Sequence, residues 1–582
     1  MKSFQGRVVV ITDSGCDLGK CLALEFARIG ARLALWTHDL DLAQRVAQQV
    51  TQAYTRAVVR VYEVDLASCV AIEQSTKNVR RDFGQVDVLV NNTDFLYGAT
   101  LQTASDESIE RVLALNALAT IYATQAVLPQ MLQANSGVLV NFGTSADSLG
   151  TPKLVDYCAS KFAVMGFHEA LRHELRHEQQ ASNKKNKKQV ACGIAMTLVC
   201  PTLILAQQAA QVPADAQTMV PHVWMQPDAA AKEIVRAVRR NKEKLVLPPD
   251  YSLVSGLLAV LPAKMATWVR NKLGLVKAMD HFVAPTAGAF APPSQVQLVS
   301  MTKLRNRTVL LTGCSSPLGY SFAVQFAQRG ANLVLWDADV RLAQRVASEI
   351  TRLYGVVASA YQVDLREKDQ VHAGAQRVAL DRLNVSVVVN TSDVLGQQPD
   401  QLIVEKDDKE IAGLLKLHAL GSMWLVKALL PQILEAKQGG HFVFLSSSVT
   451  LMGSTHGLVD YAASKYALVG MARALDYELV RLTEANNTPG IQVTTVLAPL
   501  EYSKLVATHP SAVVGAKKVE RGWMKPDLIA IKTLVAVKRN KRELVLPAEF
   551  RFVNVLCALL PQAWGDKLLD QLKYSRASAN LK

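Results

Sequence analysis

Cysteine is scarce in this chain of 582 residues, and none of the eight stands in a Cys-x-x-Cys pair. That excludes a disulfide framework or a cysteine-held zinc site and suits a reducing, cytosol-facing compartment. A secretory apolar segment is also missing: Met1-Lys2-Ser3-Phe4-Gln5-Gly6 leads almost directly into a strand-like apolar run. Neither a signal peptide nor a transmembrane helix is therefore expected. Aromatics make up only 6% of the chain, and its basic residues are not interleaved with them, so nucleic acid is not an expected partner. Acidic residues are outnumbered 50 to 64, giving a formal charge of +14. Part of that excess, Lys184-Lys185-Asn186-Lys187-Lys188, reads as a solvated loop. Half the residues are hydrophobic and a fifth are charged, the balance of an ordered globular protein.

What the chain does have is a second copy of itself. Thr12 returns as Thr312, Leu35-Trp36 as Leu335-Trp336, Asp65-Leu66 as Asp364-Leu365, and Val155-Asp156-Tyr157 as Val459-Asp460-Tyr461. Trp224-Met225 returns as Trp523-Met524, and Leu261-Pro262 as Leu560-Pro561. A period near 300 residues is a duplicated domain, since solenoid units run to roughly 20–50 residues. The boundaries read as a first domain over 1–284, a linker over 285–302 rich in Ala, Pro and Gln, and a second domain over 303–582.

Each copy opens with a short apolar run, Val8 to Ile11 and Val309 to Leu311, of the kind a buried parallel strand needs. A small-residue turn, a helical pattern ending at Gly30 or Gly330, and a second strand to Trp36 or Trp336 follow. Further strands read at Val86 to Val90, Val138 to Phe142, Val385 to Val389 and Phe442 to Leu445. Strands alternating with helices predict an α/β fold: two tandem Rossmann-like, doubly wound parallel sheets with helices on both faces.

Tyr157-Cys158-Ala159-Ser160-Lys161 and Tyr461-Ala462-Ala463-Ser464-Lys465 are the sharpest motifs. On a helix, positions i and i+4 share a face, so each phenol lies beside an ammonium. A phenol starts near pKa ~10, and lowering it by about three units needs ~4 kcal/mol of differential stabilisation, which a fixed positive charge can supply. Thr144 precedes Tyr157 by thirteen residues, and Ser446-Ser447-Ser448 precede Tyr461 at a similar distance.

This combination resembles the short-chain dehydrogenase/reductase family over nearly the whole chain except linker and termini. That family carries Thr-Gly-x-x-x-Gly-x-Gly after the first strand, Asn-Asn-Ala-Gly after the fourth, then a Ser and Tyr-x-x-x-Lys. Gly166-Phe167-His168-Glu169, Leu198-Val199-Cys200-Pro201 and Phe26-Ala27-Arg28 resemble the membrane-associated branch of retinol and 17-beta-hydroxysteroid dehydrogenases. The resemblance implies hydride exchange between a nicotinamide and a lipophilic alcohol or carbonyl (retinoid, steroid or fatty alcohol). Tyr157 and Tyr461 would be general acid/bases, and Lys161 and Lys465 would tune them and hold the ribose. Thr144, and Ser447 or Ser448, would bond the substrate oxygen. Glycine register favours Ser447 slightly, and counting back from Tyr461 favours Ser448. Asn116 takes the place of the family's relay asparagine, where the second copy has His418.

The nucleotide loops depart from the pattern. The first reads Thr12-Asp13-Ser14-Gly15-Cys16-Asp17-Leu18-Gly19, with aspartates at two of three glycine positions. A carboxylate there repels a pyrophosphate by ~3 kcal/mol for one pair at about 5 Å and an effective dielectric of about 20. The second reads Thr312-Gly313-Cys314-Ser315-Ser316-Pro317-Leu318-Gly319 and adds no charge. The fourth-strand motifs, Asn91-Asn92-Thr93-Asp94 and Asn390-Thr391-Ser392-Asp393, lack the Ala-Gly. Asp337, ending the second strand of copy two, is placed for ribose hydroxyls and favours NAD(H), with NADP(H) left open. Copy one has Thr37 there, and whether it binds any cofactor stays open. Asp65 and Asp364, with Leu365, are placed to meet adenine or, equally, to cap a turn. His168, His173 and His177 lie at i, i+5 and i+9, which is not a metal face, and no metal is expected.

Each copy ends in a basic cluster, Arg239-Arg240-Asn241-Lys242 and Lys538-Arg539-Asn540-Lys541-Arg542, before Leu-Val-Leu-Pro (Leu245 to Pro248; Leu544 to Pro547) and apolar stretches, Leu253 to Leu261 and Val553 to Leu560. These are too short to span a bilayer, which needs about 20 residues. With Leu257-Leu258, Trp268-Val269 and Leu273 they suit either a substrate lid or a peripheral contact with an anionic membrane or lipid droplet, on the endoplasmic reticulum or droplet surface. Two functions compete: a dehydrogenase acting mainly through the second copy, and a catalytically weak or inactive tandem scaffold. An internal pseudo-dimer of the two domains is expected in either case.

Overall fold

The computed structural model describes residues 3–144, 153–186, 193–201, 203–204, 224–249, 304–394, 401–452, 457–486, 488–499, 524–559 and 564. They form two compact units. The first gathers the described residues of 1–99, 107–289 and 401–408; the second gathers those of 100–106, 290–400 and 409–582. Leu253 to Leu261, Leu273, Trp268 and the linker lie outside the described residues.

In the first unit seven parallel strands run in the order Val59–Glu63, Arg32–Thr37, Val8–Ile11, Val88–Asn91, Gly137–Phe142, Ile194–Pro201, Lys244–Leu247. The second unit repeats the order with Ala358–Gln362, Asn332–Asp337, Thr308–Thr312, Val385–Asn390, Gly440–Ser447, Ile491–Ala498 and Glu543–Val545. Central strands such as Val8–Ile11 and Val385–Asn390 are buried throughout, so they read as continuous rather than alternating apolar runs. The strand order reverses beside the first strand, leaving a crevice at the carboxyl ends of the strands where such sheets take ligands.

Helices are started by side chains that meet orphan N–H groups. Asp39 accepts from Leu42 N–H and Asp339 from Leu342 N–H at the start of the helices Leu40–Ala53 and Val340–Tyr354. The helices running over Asp106–Ala134 and Asp408–Glu435 are long and apolar enough to cross a membrane by length and composition. Two-thirds or more of each apolar window is buried within the protein, so packing accounts for their composition. Each contains one π-helical turn, Ala114–Leu118 and Lys416–Leu420. That extra residue per turn re-aims a side chain, and the turns carry Asn116 and His418.

Candidate active sites

The helices Val155–Asn186 and Val459–Ala485 bring each tyrosine and lysine together as their spacing requires, and the first continues through Lys184, Lys185 and Asn186, which are helical rather than the loop their charge suggested. Lys161 Nζ lies 5.7 Å from the Tyr157 ring centre, and Lys465 Nζ lies 5.6 Å from that of Tyr461. All four residues are buried.

Sequence reasoning missed a third member of both sites. The carboxylate of Asp94, directly after the fourth strand, accepts from Tyr157 OH at 2.9 Å and pairs with Lys161 Nζ at 3.0 Å. In the second unit Asp393 pairs with Lys465 Nζ at 2.9 Å, faces His418 Nε2 at 3.2 Å and accepts from Tyr461 OH at 3.4 Å. The signal was present. Both copies have Asp in place of the family's glycine, and a departure shared by two copies marks a position doing the same job twice.

The relay positions also sit at these sites. Asn116 donates to Ser160 Oγ at 2.9 Å and to Phe95 O, while its own oxygen accepts from Phe95 N–H. His418 Nδ1 lies 2.8 Å from Ser464 Oγ, and its ring meets Tyr461 edge-on at 5.8 Å between centres. Ser447 Oγ accepts from Val449 N–H at 3.2 Å, at the end of its strand. Strand register aligns Ser448, rather than Ser447, with Thr144. Val140 pairs with Thr197 and Phe444 with Thr495, each threonine four residues before its Pro201 or Pro499. The offset from Val140 to Phe444 (444 − 140 = 304) is that from Tyr157 to Tyr461 (461 − 157 = 304) and from Thr144 to Ser448 (448 − 144 = 304). Thr144 and Ser448 are buried behind the strand ends; the neighbouring Ser145 lies outside the described residues.

The two nucleotide loops differ in what they offer a phosphate. Gly313 takes φ +65°, which glycine adopts without strain, and a Cβ on Gly319 would stand 2.1 Å from Gly313 O. Ser316 accepts from Gly319 N–H to open the helix Pro317–Ala327, and Thr312 Oγ1 donates to Asn390 Oδ1. This loop suits the pyrophosphate of a dinucleotide. In the first unit Asp13 holds the same left-handed turn at φ +47°, so the backbone shape survives with a carboxylate attached. Burial pushes the Asp13 carboxyl above its usual range; His38 opposes that shift and Asp94 adds to it. Asp17, exposed, occupies the first helical position. A carboxylate in the turn and a second one at the helix start do not suit a pyrophosphate. Gly19 remains packed, a Cβ there standing 2.7 Å from Asp13 O, and Thr12 Oγ1 accepts from Asn92 N–H.

The remaining nucleotide candidates are held by their own chain. Asp337 accepts from Ser315 N–H at 2.9 Å and Asp339 N–H at 3.1 Å, tying the loop to the second strand. Asp65 accepts from Ala67 N–H, and Asp364 from Arg366 N–H and its guanidinium, so both cap turns. Leu365 is buried beside Gly421. Asn91 donates to Asn141 Oδ1 and Thr124 Oγ1, and Asn390 to Ser422 Oγ. His168 is a buried core histidine 3.3 Å from Asn141 Nδ2, its pKa lowered to about 4 by desolvation.

Burial also pushes Asp156, beside Tyr157, up to about 6, although its carboxylate accepts from Tyr157 N–H at 2.8 Å. The folded state thus binds this proton more tightly than an unfolded carboxyl near ~3.9. Stability from this group is full below pH ~4 and declines as pH rises towards 6. Asp156→Asn is expected to raise stability at pH 7 by up to about 3 kcal/mol and to leave it little changed at pH 4. Thermal denaturation at the two pH values checks this.

The short-chain dehydrogenase family model matches residues 7–215 and 307–502, one region in each copy. Retinol dehydrogenase 10-A of Danio rerio is 32% identical over 306 residues, covering 49% of this chain and 86% of that protein. Retinol dehydrogenase 10 of Homo sapiens is 32% identical over 308 residues with the same coverage. Among solved structures, the N-domain of a bacterial malonyl-CoA reductase, solved with NADP, superimposes over 94% of this chain and 98% of its own at TM-score 0.64 and 14% identity. The C-domain of a bacterial malonyl-CoA reductase, also with NADP, does so over 94% and 99% at TM-score 0.58 and 13% identity. The chain belongs to the short-chain dehydrogenase/reductase family, the NAD(P)-dependent oxidoreductases of CH–OH groups, and carries two such domains in tandem.

Proposed function

We propose that the second unit interconverts a lipophilic alcohol and its carbonyl, with NAD(H) preferred, and that the first unit has lost dinucleotide binding. The observation that carries this is the contrast between the loops: an uncharged left-handed turn at Gly313 in the second unit, against a buried carboxylate at Asp13 in the same turn of the first. Thr312, Gly313, Gly319 and Asn390 would hold the dinucleotide, and Asp337 at the end of its strand favours NAD over a 2′-phosphate. The bound nicotinamide would supply the hydride donor or acceptor. Tyr461 would pass its phenolic proton to or from the substrate oxygen, Lys465 would set the charge around it, and Ser448 or Ser447 would orient that oxygen. The similarity to retinol dehydrogenases supports a retinoid or another apolar alcohol as substrate.

Tyr461→Phe is expected to lower kcat for all-trans-retinol or a hydroxysteroid by about 10²–10⁴-fold, while Tyr157→Phe leaves it within about twofold. Equal losses from both variants would place activity in both units. The tandem-scaffold reading is favoured by one observation, the carboxylate on Lys465, and predicts no saturable NADH or NADPH binding at all.

We also propose peripheral contact with an anionic bilayer or lipid droplet. Leu528, Ile531 and Val535 form an exposed apolar stripe on the helix Pro526–Lys538, beside exposed Lys525, Lys532 and Arg539. The matching positions of the helix Pro227–Arg239 are Ala229, Lys232 and Arg236. Flotation with phosphatidylserine vesicles at low salt is expected for the full chain, and absence of flotation disproves the contact.

A further inference from the structure

In both units one carboxylate gathers the two groups that the acid/base chemistry needs free. Asp94 receives the Tyr157 proton at 2.9 Å and the Lys161 ammonium at 3.0 Å. Asp393 receives the Lys465 ammonium at 2.9 Å and the Tyr461 proton at 3.4 Å. Both lysine side chains are 1% exposed, and each also donates to a backbone carbonyl, Thr93 O at 2.8 Å or Leu445 O at 3.2 Å. An ammonium held this way has little left to offer another ligand. A phenol beside a carboxylate keeps its proton, because losing it would place two anions in contact.

The second unit adds a further grip. Ser464 donates its proton to Tyr461 O at 2.8 Å, so the 2.8 Å contact with His418 Nδ1 requires the imidazole to be the donor. His418 Nε2 faces Asp393 Oδ1 at 3.2 Å. The histidine ring therefore packs against the same carboxylate that holds Lys465. Asn116 stands in that place in the first unit, so Asp94 has the lysine alone.

We propose that Asp393 is a latch on the second active site. Its carboxylate occupies Lys465 and holds Tyr461 protonated, and a dinucleotide binds productively only when that carboxylate leaves and a ribose hydroxyl pair takes its place. This rests on, and deepens, the reading of the second unit as the cofactor-binding one. Because only the open fraction of the protein is competent, the latch weakens apparent affinity in proportion to its closed population.

The experiment titrates NADH and NADPH into the full chain by fluorescence and calorimetry, comparing wild type with Asp393→Gly, Asp393→Asn and His418→Asn, each checked for folding by circular dichroism. The glycine variant removes the carboxylate but strands the buried Lys465, so the asparagine variant keeps the shape and an acceptor oxygen without the charge. His418→Asn copies the residue that the first unit already carries there. Expected are at least about tenfold tighter binding for both Asp393 variants, equivalent to about 1.4 kcal/mol, and a smaller gain for His418→Asn. Unchanged or weaker affinity in any folded one of the three overturns the latch. Tighter binding without alcohol turnover upholds the latch and removes the proposed dehydrogenase activity. Slower turnover at unchanged affinity in Asp393→Asn makes the carboxylate a proton relay, and the latch falls.

Discussion

Gly319→Ala is expected to abolish measurable NADH binding and to destabilise the second unit by at least about 3 kcal/mol. An added Cβ would stand 2.1 Å from Gly313 O, 2.8 Å from Cys314 Cα and 2.9 Å from Gly313 C. All three obstacles are backbone, and the turn that supplies them is tied to the sheet through Gly313 N–H and Trp336 O at 2.8 Å. The helix must therefore move away from the strand, which disrupts the N–H groups at its start that a phosphate would use. Gly19→Ala meets Asp13 O at 2.7 Å and is expected to destabilise the first unit without changing NADH affinity. Chemical denaturation and NADH titration of both variants measure the two effects separately. Loss of binding in Gly19→Ala would show that the first unit is the cofactor site.

Asp13→Gly is expected to stabilise the first unit, and together with Asp94→Gly to change NADH stoichiometry from one to two per chain. Asp13 holds φ +47° where its counterpart Gly313 holds +65°, a conformation costing a non-glycine residue about 1–2 kcal/mol. Glycine returns part of that through the extra freedom of the unfolded chain, about 0.5–1 kcal/mol. The carboxylate term depends on pH. Burial raises the folded-state value of Asp13, so the wild type loses stability as pH rises through it, and the gain on removing the group is larger at pH 7 than at pH 4. Thermal melts at both pH values test the sign, and calorimetry of the double variant gives the stoichiometry. A stoichiometry that stays at one would mean that Asp17 at the helix start is itself enough to repel the pyrophosphate.

The fold was legible because its information is local and repeated. Apolar runs such as Val8-Val9-Val10-Ile11, helices ending at Gly30 and Gly330, and the two Tyr-x-x-x-Lys spacings each need only a few adjacent residues, and the second copy repeats them. The pairing of Tyr461 with Lys465 followed from helix geometry alone. For the counterpart of Thr144 the sequence offers two answers, Ser447 by loop glycines and Ser448 by distance from Tyr461, and the pairing of Phe444 with Thr495 supports Ser448. Asp65 and Asp364 were balanced between adenine and turn, and local hydrogen bonds to Ala67 and Arg366 N–H groups show them capping turns.

The sequence alone determined the duplicated α/β architecture, the chemistry-bearing helix of each copy and the loss of glycine from the first nucleotide loop. Each rests on strings of residues within a few positions of one another, and the duplication on the return of those strings about 300 residues later. The tertiary structure decided what the lysines touch: Asp94 reaches Tyr157 across 63 positions and Asp393 reaches Tyr461 across 68. A parallel sheet places the end of its fourth strand against the helix that follows the fifth, and no spacing rule in the chain encodes that meeting. Charge across such a crevice is set by packing, so the state of each active site became readable only once the strands had been put side by side.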